Sequence, residues 1–121
     1  MLINLSNHPS RYWNDLQISK AKKLYDKIYD IEFPSVPPEA DDDSLNKFVN
    51  DYKNKCIDIL SKYPDENNAV HIMGEMTFTY RIVTELKKEG VECIASTTDR
   101  NTFEIPGTKI SNFNFVDFRK Y

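Results

Sequence analysis

Short apolar stretches alternate with longer amphipathic stretches, and this alternation most constrains what the chain can fold into. Residues 2–5, 28–33, 69–74 and 91–96 each have the length and composition of a short strand. Between them, apolar residues recur at every third or fourth position, as on one face of a helix. A last strand is expected at residues 112–118. Strands that alternate with helices predict a mainly parallel sheet with helices on both faces.

The three helical segments have recognisable ends. The first is expected to begin at Ser10, a favourable N-cap residue. The second covers residues 45–63 and ends at Pro64, and the third runs from Gly74 to Gly90. The apolar face predicted for the first helix consists of Trp13, Leu16, Ala21, Leu24 and Ile28.

The end of the chain combines turn-forming and strand-forming residues. Residues 97–110 are rich in turn formers, and Pro106-Gly107 suits a tight turn. The whole pattern predicts one α/β domain over residues 1–121 with strand order 2-1-3-4-5, in which strand 5 can pair antiparallel at the edge. A chain of 121 residues with 40% hydrophobic content is long enough for one such domain with its own core.

Composition excludes several classes of function. A net charge of −3 argues against electrostatic coating of long nucleic acid, so DNA is not an expected partner. Cys56 and Cys93 lack the spacing of a metal site or a disulfide framework, which favours buried thiols in a reducing cytosol. No apolar run approaches the roughly 20 residues that span a bilayer. We therefore expect a cytoplasmic protein with no membrane association, no metal and no cofactor.

The predicted strand order locates a binding site. In open α/β sheets, ligands bind beyond the carboxyl ends of the strands where the winding direction reverses, here between strands 1 and 3. The loops at residues 6–10, 74–80 and 96–100 meet at that edge. Glycine-rich nucleotide motifs are absent, so a phosphate site would consist of helix N-termini and side chains. The candidate groups are Ser6, Asn7, Thr77, Ser96, Thr97, Thr98 and Arg100 for phosphate, and Tyr12, Trp13 and Phe78 for stacking on bases.

Several of these residues also have simpler structural interpretations. Ser10 and Thr77 are typical capping residues, and Glu75 is either a first-turn acid favoured by the helix dipole or a ligand contact. His8 is either a hydrogen-bonding loop residue or an acid–base group. His71 lies inside an apolar strand and is interpreted as a core histidine with satisfied hydrogen bonds.

Three segments carry a family resemblance: LINLSNHPS, HIMGEMTFTYRIVTEL and CIASTTDR. With these motifs the sequence resembles the small standalone CRISPR-associated proteins that have a CARF-like (CRISPR-associated Rossmann fold) domain and accompany type III systems. The resemblance implies a Rossmann-like three-layer sandwich with a mainly parallel five-stranded sheet. It covers most of the chain.

The resemblance also implies a ligand. Such proteins bind a cyclic oligoadenylate, most often cyclic tetra-adenylate, as homodimers; some cleave the ring and others sequester it. The ligand-binding positions would be Ser6, Asn7, His8, Gly74, Glu75, Met76, Thr77, Thr97, Thr98 and Arg100. Ring cleavage would need no metal, because the ribose 2′-OH can attack the adjacent phosphate. His8 would then act as general base or acid, and Arg100 would balance the developing charge.

A different class of function stays open at this stage. The aromatic last strand, from Phe113 to Phe118, could bind a protein partner by edge pairing, with no nucleotide ligand. The sequence also leaves open whether a bound ring is cleaved and how large that ring is.

Overall fold

The structure, a computed structural model, describes the backbone of residues 1–121 and the side chains of residues 1–100, 105–108 and 113–121. Eight regular elements follow one another along the chain. They are β1 (Leu2–Ser6), α1 (Asp15–Tyr25), β2 (Ile28–Glu32), α2 (Asp42–Leu60), β3 (Ala69–Met73), α3 (Met76–Lys88), β4 (Glu92–Ile105) and β5 (Thr108–Lys120).

The five strands form one sheet in the order β2-β1-β3-β4-β5. The strand β1 pairs in parallel with β2 and β3, β3 pairs in parallel with β4, and β5 runs antiparallel to β4 at the edge. This topology confirms the predicted α/β class and strand order. The result is a Rossmann-like sandwich.

The two faces of the sheet bury different residues because side chains alternate along each strand. On one face, Ile3, Leu5 and Ile72 belong to a large apolar core that also includes buried residues of α2 and α3. On the other face, Leu2 and Ala69 pack with a smaller cluster that includes residues of α1. The helices therefore cover both sides of the sheet, with α1 alone over the less apolar side.

The first helix begins later than predicted. Ser10 starts a single 3₁₀ turn rather than α1, and Asn14 is the N-cap, with its side chain accepting a hydrogen bond from the Gln17 backbone N–H. The hydroxyl and the N–H of Ser10 instead both donate to the Asp30 carboxylate.

The apolar face predicted for the first helix is also wrong in part. Leu16 and Leu24 are 56% and 43% exposed, whereas Gln17, Ala21 and Tyr25 are buried. These three lie at i, i+4 and i+8, so they share one helical face. The prediction of this face failed because α1 packs against polar groups on the sheet as well as apolar ones.

The second and third helices agree more closely with the predicted pattern. The buried residues of α2 include Leu45, Val49 and Cys56, but the helix ends at Leu60 rather than at Pro64. Gly90 follows α3 with a φ of 78°, a conformation that favours glycine and terminates the helix as predicted.

The segment at residues 97–110 is mostly strand, not turn. The strands β4 and β5 extend through it and pair from Ile94 to Ile105, with the turn confined to Pro106-Gly107. The predicted strands at 91–96 and 112–118 were therefore too short. Polar residues such as Thr98 and Asp99 face solvent on this two-stranded ribbon, so its sequence lacks the apolar alternation of a strand with a buried face.

Among the helices that the structure describes, none combines the length and the apolar character needed to cross a bilayer.

Candidate functional site

The face of the sheet under α1 changes from apolar to polar toward the carboxyl ends of the strands. Asn4 pairs in register with Asp30 on β2 and with His71 on β3. His71 pairs with Ile94 on β4, and Ser96 lies two residues farther along that strand, on the same face. We call Asp30, Asn4, His71 and Ser96 the polar row.

The Asn4 side chain is 1% exposed and uses both ends of its amide. Its Nδ2 donates to the His8 carbonyl at 2.9 Å and to Asp30 Oδ1 at 2.8 Å. Both of those groups are acceptors, which assigns the amide nitrogen to that side and turns Oδ1 toward β3. There Oδ1 accepts from the Ser6 hydroxyl at 2.8 Å and lies 2.9 Å from His71 Nδ1.

These contacts define the tautomer of His71. Because Asn4 Oδ1 can only accept, Nδ1 carries the hydrogen, and Nε2 of the neutral ring accepts from the Ser96 hydroxyl at 2.7 Å. The ring is 2% exposed. Burial, with a smaller contribution from the charge of His8, lowers the pKa of His71 from 6.5 to about 4. The predicted core histidine is confirmed, and it is neutral at pH 7.

The other end of the polar row is ionised. Asp30 accepts from the Ser10 hydroxyl at 2.6 Å, the Ser10 N–H at 2.9 Å and the Asn4 amide. Partial burial opposes ionisation, but these hydrogen bonds and the nearby Arg11 outweigh it, so the pKa of Asp30 lies below its ordinary value. Asp30 thus anchors the loop after β1 to the sheet.

A cavity of about 550 Å³ opens above the polar row, which we call the central cavity. It lies at the carboxyl ends of β1 and β3, beside the middle of β4, at the edge where the topology predicts a binding site. Its walls combine hydroxyl, imidazole, amide, thioether and aromatic groups. The lining residues are Ser6, His8, Tyr12, Trp13, Asn14, Gln17, His71, Met73, Ser96, Thr98, Phe113 and Phe115.

Trp13 links the cavity wall to the polar row. Its indole N–H donates to the His8 carbonyl at 3.0 Å, and its ring meets the His71 ring edge-on at a centroid distance of 5.2 Å. Phe118 packs against both rings from β5. The partly buried indole is therefore held in place while it still lines the cavity.

Two arginines stand over aromatic rings of the central cavity. The Arg11 guanidinium lies 4.6 Å from the centre of the Tyr12 ring, and that of Arg100 lies 5.6 Å from the centre of the Phe113 ring. Both rings line the cavity and both are largely exposed. Two cations thus lie against rings of the cavity wall, although the chain as a whole is acidic.

The structure brings only some of the predicted ligand residues together. Ser6, His8 and Thr98 line the central cavity. Ser6 also lines a neighbouring cavity of about 530 Å³ together with Asn7. Gly74 and Met76 line a third cavity, of about 560 Å³, on the α3 side.

The remaining predicted residues have structural partners. The Glu75 carboxylate caps α3 by accepting from the backbone N–H groups of Thr77 and Phe78, and it also accepts from the Thr77 hydroxyl. The Thr97 hydroxyl donates to the Asp117 carbonyl and accepts from its N–H, across a register shift between β4 and β5.

Gly74 sits against the ring of Phe33, which a Cβ atom would strike. The close approach of this ring, rather than of a ligand, accounts for glycine at this position.

Sequence reasoning did not single out Asn4, Gln17 or Asp30. The available signal was a polar residue inside each of two apolar strands, Asn4 in LINLS and His71 in AVHIM, at positions that share one face. A buried polar residue needs partners, so two of them in adjacent strands indicate a network.

The fold and the site define a class: a Rossmann-like α/β domain with an aromatic and polar cavity at the carboxyl edge of its sheet. The model of the uncharacterized protein MJ1673 family matches residues 1–119. The chain therefore belongs to this family. No curated protein and no solved structure matches it significantly.

Proposed function

We propose that the chain binds a cyclic oligoadenylate, most simply cyclic tetra-adenylate, in the central cavity. In this proposal it acts in the cytoplasm as a homodimer and limits type III CRISPR signalling by sequestration or by slow, metal-independent ring cleavage. The observation that carries the proposal is a cavity at the switch point whose walls include exposed aromatic rings with arginines over two of them. The CARF-like resemblance supplies the identity of the ligand.

The chemistry of the walls suits such a ligand. Adenine bases stack on aromatic side chains, each stacked base contributing roughly 1–3 kcal/mol. Tyr12, Trp13 and Phe113 offer three such surfaces. Arg11 and Arg100 lie beside two of them, within reach of the phosphates that follow each base. Thr98 and Ser6 add hydroxyl groups for the riboses.

The expected homodimer follows from the symmetry of the ligand. A cyclic tetra-adenylate ring has its own two-fold axis, so two identical cavities related by an isologous interface can each read half of it. Binding would then show one ring per two chains.

The test uses the chain's single tryptophan, Trp13, as a reporter in the cavity wall. We expect its fluorescence to change on titration with cyclic tetra-adenylate, and calorimetry to give one ring per two chains. Linear tetra-adenylate and a cyclic dinucleotide serve as comparison ligands. Chromatography of the recovered nucleotide distinguishes an intact ring from a linear product.

Matched arginine variants identify the surface that binds. Arg100→Ala is expected to weaken binding at least 10-fold, which corresponds to about 1.4 kcal/mol. Arg119→Ala is the control and should leave binding unchanged, because it removes an exposed arginine from the same hairpin without touching the cavity. If cleavage occurs, His8→Ala should slow turnover and retain binding. Equal weakening by both arginine variants, or no affinity for any cyclic oligoadenylate, would remove the proposal.

A second candidate function rests on β5. This strand is the edge of the sheet, and it exposes Phe113 and Val116. An apolar edge strand can accept a strand from a protein partner. A Val116→Lys substitution would abolish such pairing and leave nucleotide binding intact, which separates the two functions.

A further inference from the structure

We propose that Ser96 is a reactive nucleophile, with His71 as its general base, toward phosphoryl esters that enter the central cavity. This activity would be additional to nucleotide binding. It concerns the same cavity but does not depend on which nucleotide occupies it. The proposal rests on the hydrogen-bond order of the polar row and on the position of Ser96 at its open end.

The first step is the direction of the hydrogen bonds. Asn4 Oδ1 requires the hydrogen of His71 on Nδ1, which leaves Nε2 as an acceptor 2.7 Å from Ser96 Oγ. Ser96 therefore directs its hydroxyl hydrogen at an imidazole nitrogen. A hydroxyl that donates to the free nitrogen of an oriented imidazole is the arrangement by which a base activates a serine; here the Asn4 amide takes the orienting place that a carboxylate has in Ser-His-Asp triads.

The second step concerns Ser96 Oγ after its hydrogen has passed to His71. Gln17 Nε2 donates to Ser96 Oγ at 3.0 Å from the buried face of α1. This donor stabilises the negative charge that develops on the oxygen as its hydrogen leaves. The arrangement is preformed, because Asn4, Gln17 and His71 are all buried and their orientations are defined by hydrogen bonds.

The third step is access. Ser96 is only partly buried and lines the central cavity together with His71. A small ester in the cavity can therefore contact Ser96 Oγ. The His71 ring is only 2% exposed, so a ligand reaches it chiefly through Ser96. Ser96 is thus the group of the polar row through which chemistry on a ligand in the central cavity can take place.

The proposed step balances as follows. Ser96 Oγ forms a bond to phosphorus as its proton passes to His71 Nε2, and the bond from phosphorus to the leaving oxygen breaks. The leaving oxygen, on the opposite side of phosphorus from Ser96, takes a proton from water and leaves hydroxide. The hydroxide then attacks phosphorus, and Ser96 Oγ leaves with the proton held on His71, which restores the free hydroxyl and the neutral imidazole.

The central cavity contains its own controls. Ser6 and Thr98 also present hydroxyl groups to it. The Ser6 hydroxyl donates to the Asn4 amide and not to an imidazole. Thr98 lies two residues beyond Ser96 on the same strand. Ser6 is buried and Thr98 is the most exposed of the three, so reactivity that follows exposure alone would favour Thr98, whereas reactivity that depends on the Ser96–His71 hydrogen bond would be confined to Ser96.

The experiment treats the full chain with a small alkyl fluorophosphonate, in which attack on phosphorus expels fluoride. Intact mass measures the adduct over time, and peptide mapping of the wild-type protein locates it. We expect one adduct, on Ser96, absent from Ser96→Ala, with Ser6 and Thr98 unlabelled in the peptide map of the wild-type protein. His71→Gln is expected to slow labelling by about 100-fold, the low end of the range for removing a general base, because burial lowers the pKa of His71 and weakens it as a base. Circular dichroism checks that each variant is folded.

Each outcome decides the proposal. Labelling confined to Ser96 and dependent on His71 supports it. An unlabelled wild-type protein, an adduct on Ser6 or Thr98, or equal labelling of His71→Gln overturns it, and the wild-type peptide map decides even where a variant fails to fold. Because no nucleotide is present, a negative result leaves the cyclic oligoadenylate proposal intact, and failure of nucleotide binding leaves this one intact.

Discussion

Acidification from pH 7 to pH 5 is expected to destabilise the protein mainly through His71. Its pKa is about 4 in the folded chain, against an ordinary value of 6.5 for histidine. The unfolded state therefore binds more protons than the folded state between these two values, and stability falls as the pH decreases through that window. The stabilising contribution is present in full above pH 6.5 and is largely lost by pH 4.

The size of the effect follows from these pKa values. At pH 5 the unfolded imidazole is almost fully protonated and the folded one is almost fully neutral, so linkage gives a loss of about 2 kcal/mol relative to pH 7. Carboxylates with lowered pKa values, such as Asp30 and Glu75, add a further loss, but mainly below about pH 4.5 because they release their protons at lower pH. The interval from pH 7 to pH 5 therefore isolates the histidine.

Urea unfolding at pH 7, 6 and 5 measures this dependence directly. His71→Gln removes the titrating group from the polar row and should show a much flatter profile over the same range. His8→Gln is the matched control: burial is the larger cause of the lowered pKa of His71 and the charge of His8 the smaller one, so this variant should keep most of the wild-type slope. Equal free energies of unfolding at pH 7 and pH 5 in the wild-type protein, or an unchanged slope in His71→Gln, would contradict the assignment of this pH dependence to His71.

Three further substitutions or treatments test other parts of the structure. Gly74→Ala forces a Cβ atom into the ring of Phe33 and should cost about 1–3 kcal/mol in urea unfolding; an unaffected midpoint would show that the ring moves aside freely. Glu75→Ala removes the cap that accepts from the Phe78 N–H and should cost about 1 kcal/mol, with Glu75→Gln closer to wild type. Burial raises the pKa of the Cys56 thiol to about 12, so iodoacetamide should alkylate it only in denaturant; rapid modification of the folded chain would contradict this burial.

Hydrophobic periodicity was enough to predict the sheet order and the large core. The spacing of Leu45, Val49 and Cys56 predicted the buried face of α2, since these residues pack in the large apolar core. The same logic failed for α1, where Gln17 is buried and Leu16 is exposed. Burial there depends on a hydrogen bond to Ser96, and no periodicity of apolar residues encodes such a partner.

The candidate site was predictable in position but not in composition. Strand order alone indicated the edge where Ser6, His8 and Thr98 now line one cavity. It did not show that Gly74 and Met76 would lie in a different cavity, because the direction of the loop after β3 depends on side-chain packing. The network through Asn4 could not be predicted either, because the partners of Asn4 are distant in sequence and meet only when the sheet is assembled.

The alignment of Asn4 with His71 also bears on how the strands find the right pairing as the chain folds. A shift of β1 against β3 by one residue would turn apolar side chains to the wrong face, and hydrophobicity alone opposes it. A shift by two residues keeps every side chain on its face, but it sets Asn4 against Ala69 or Met73 and leaves buried polar atoms without partners. The Asn4–His71 contact thus distinguishes the native pairing from the one misalignment that hydrophobic alternation tolerates.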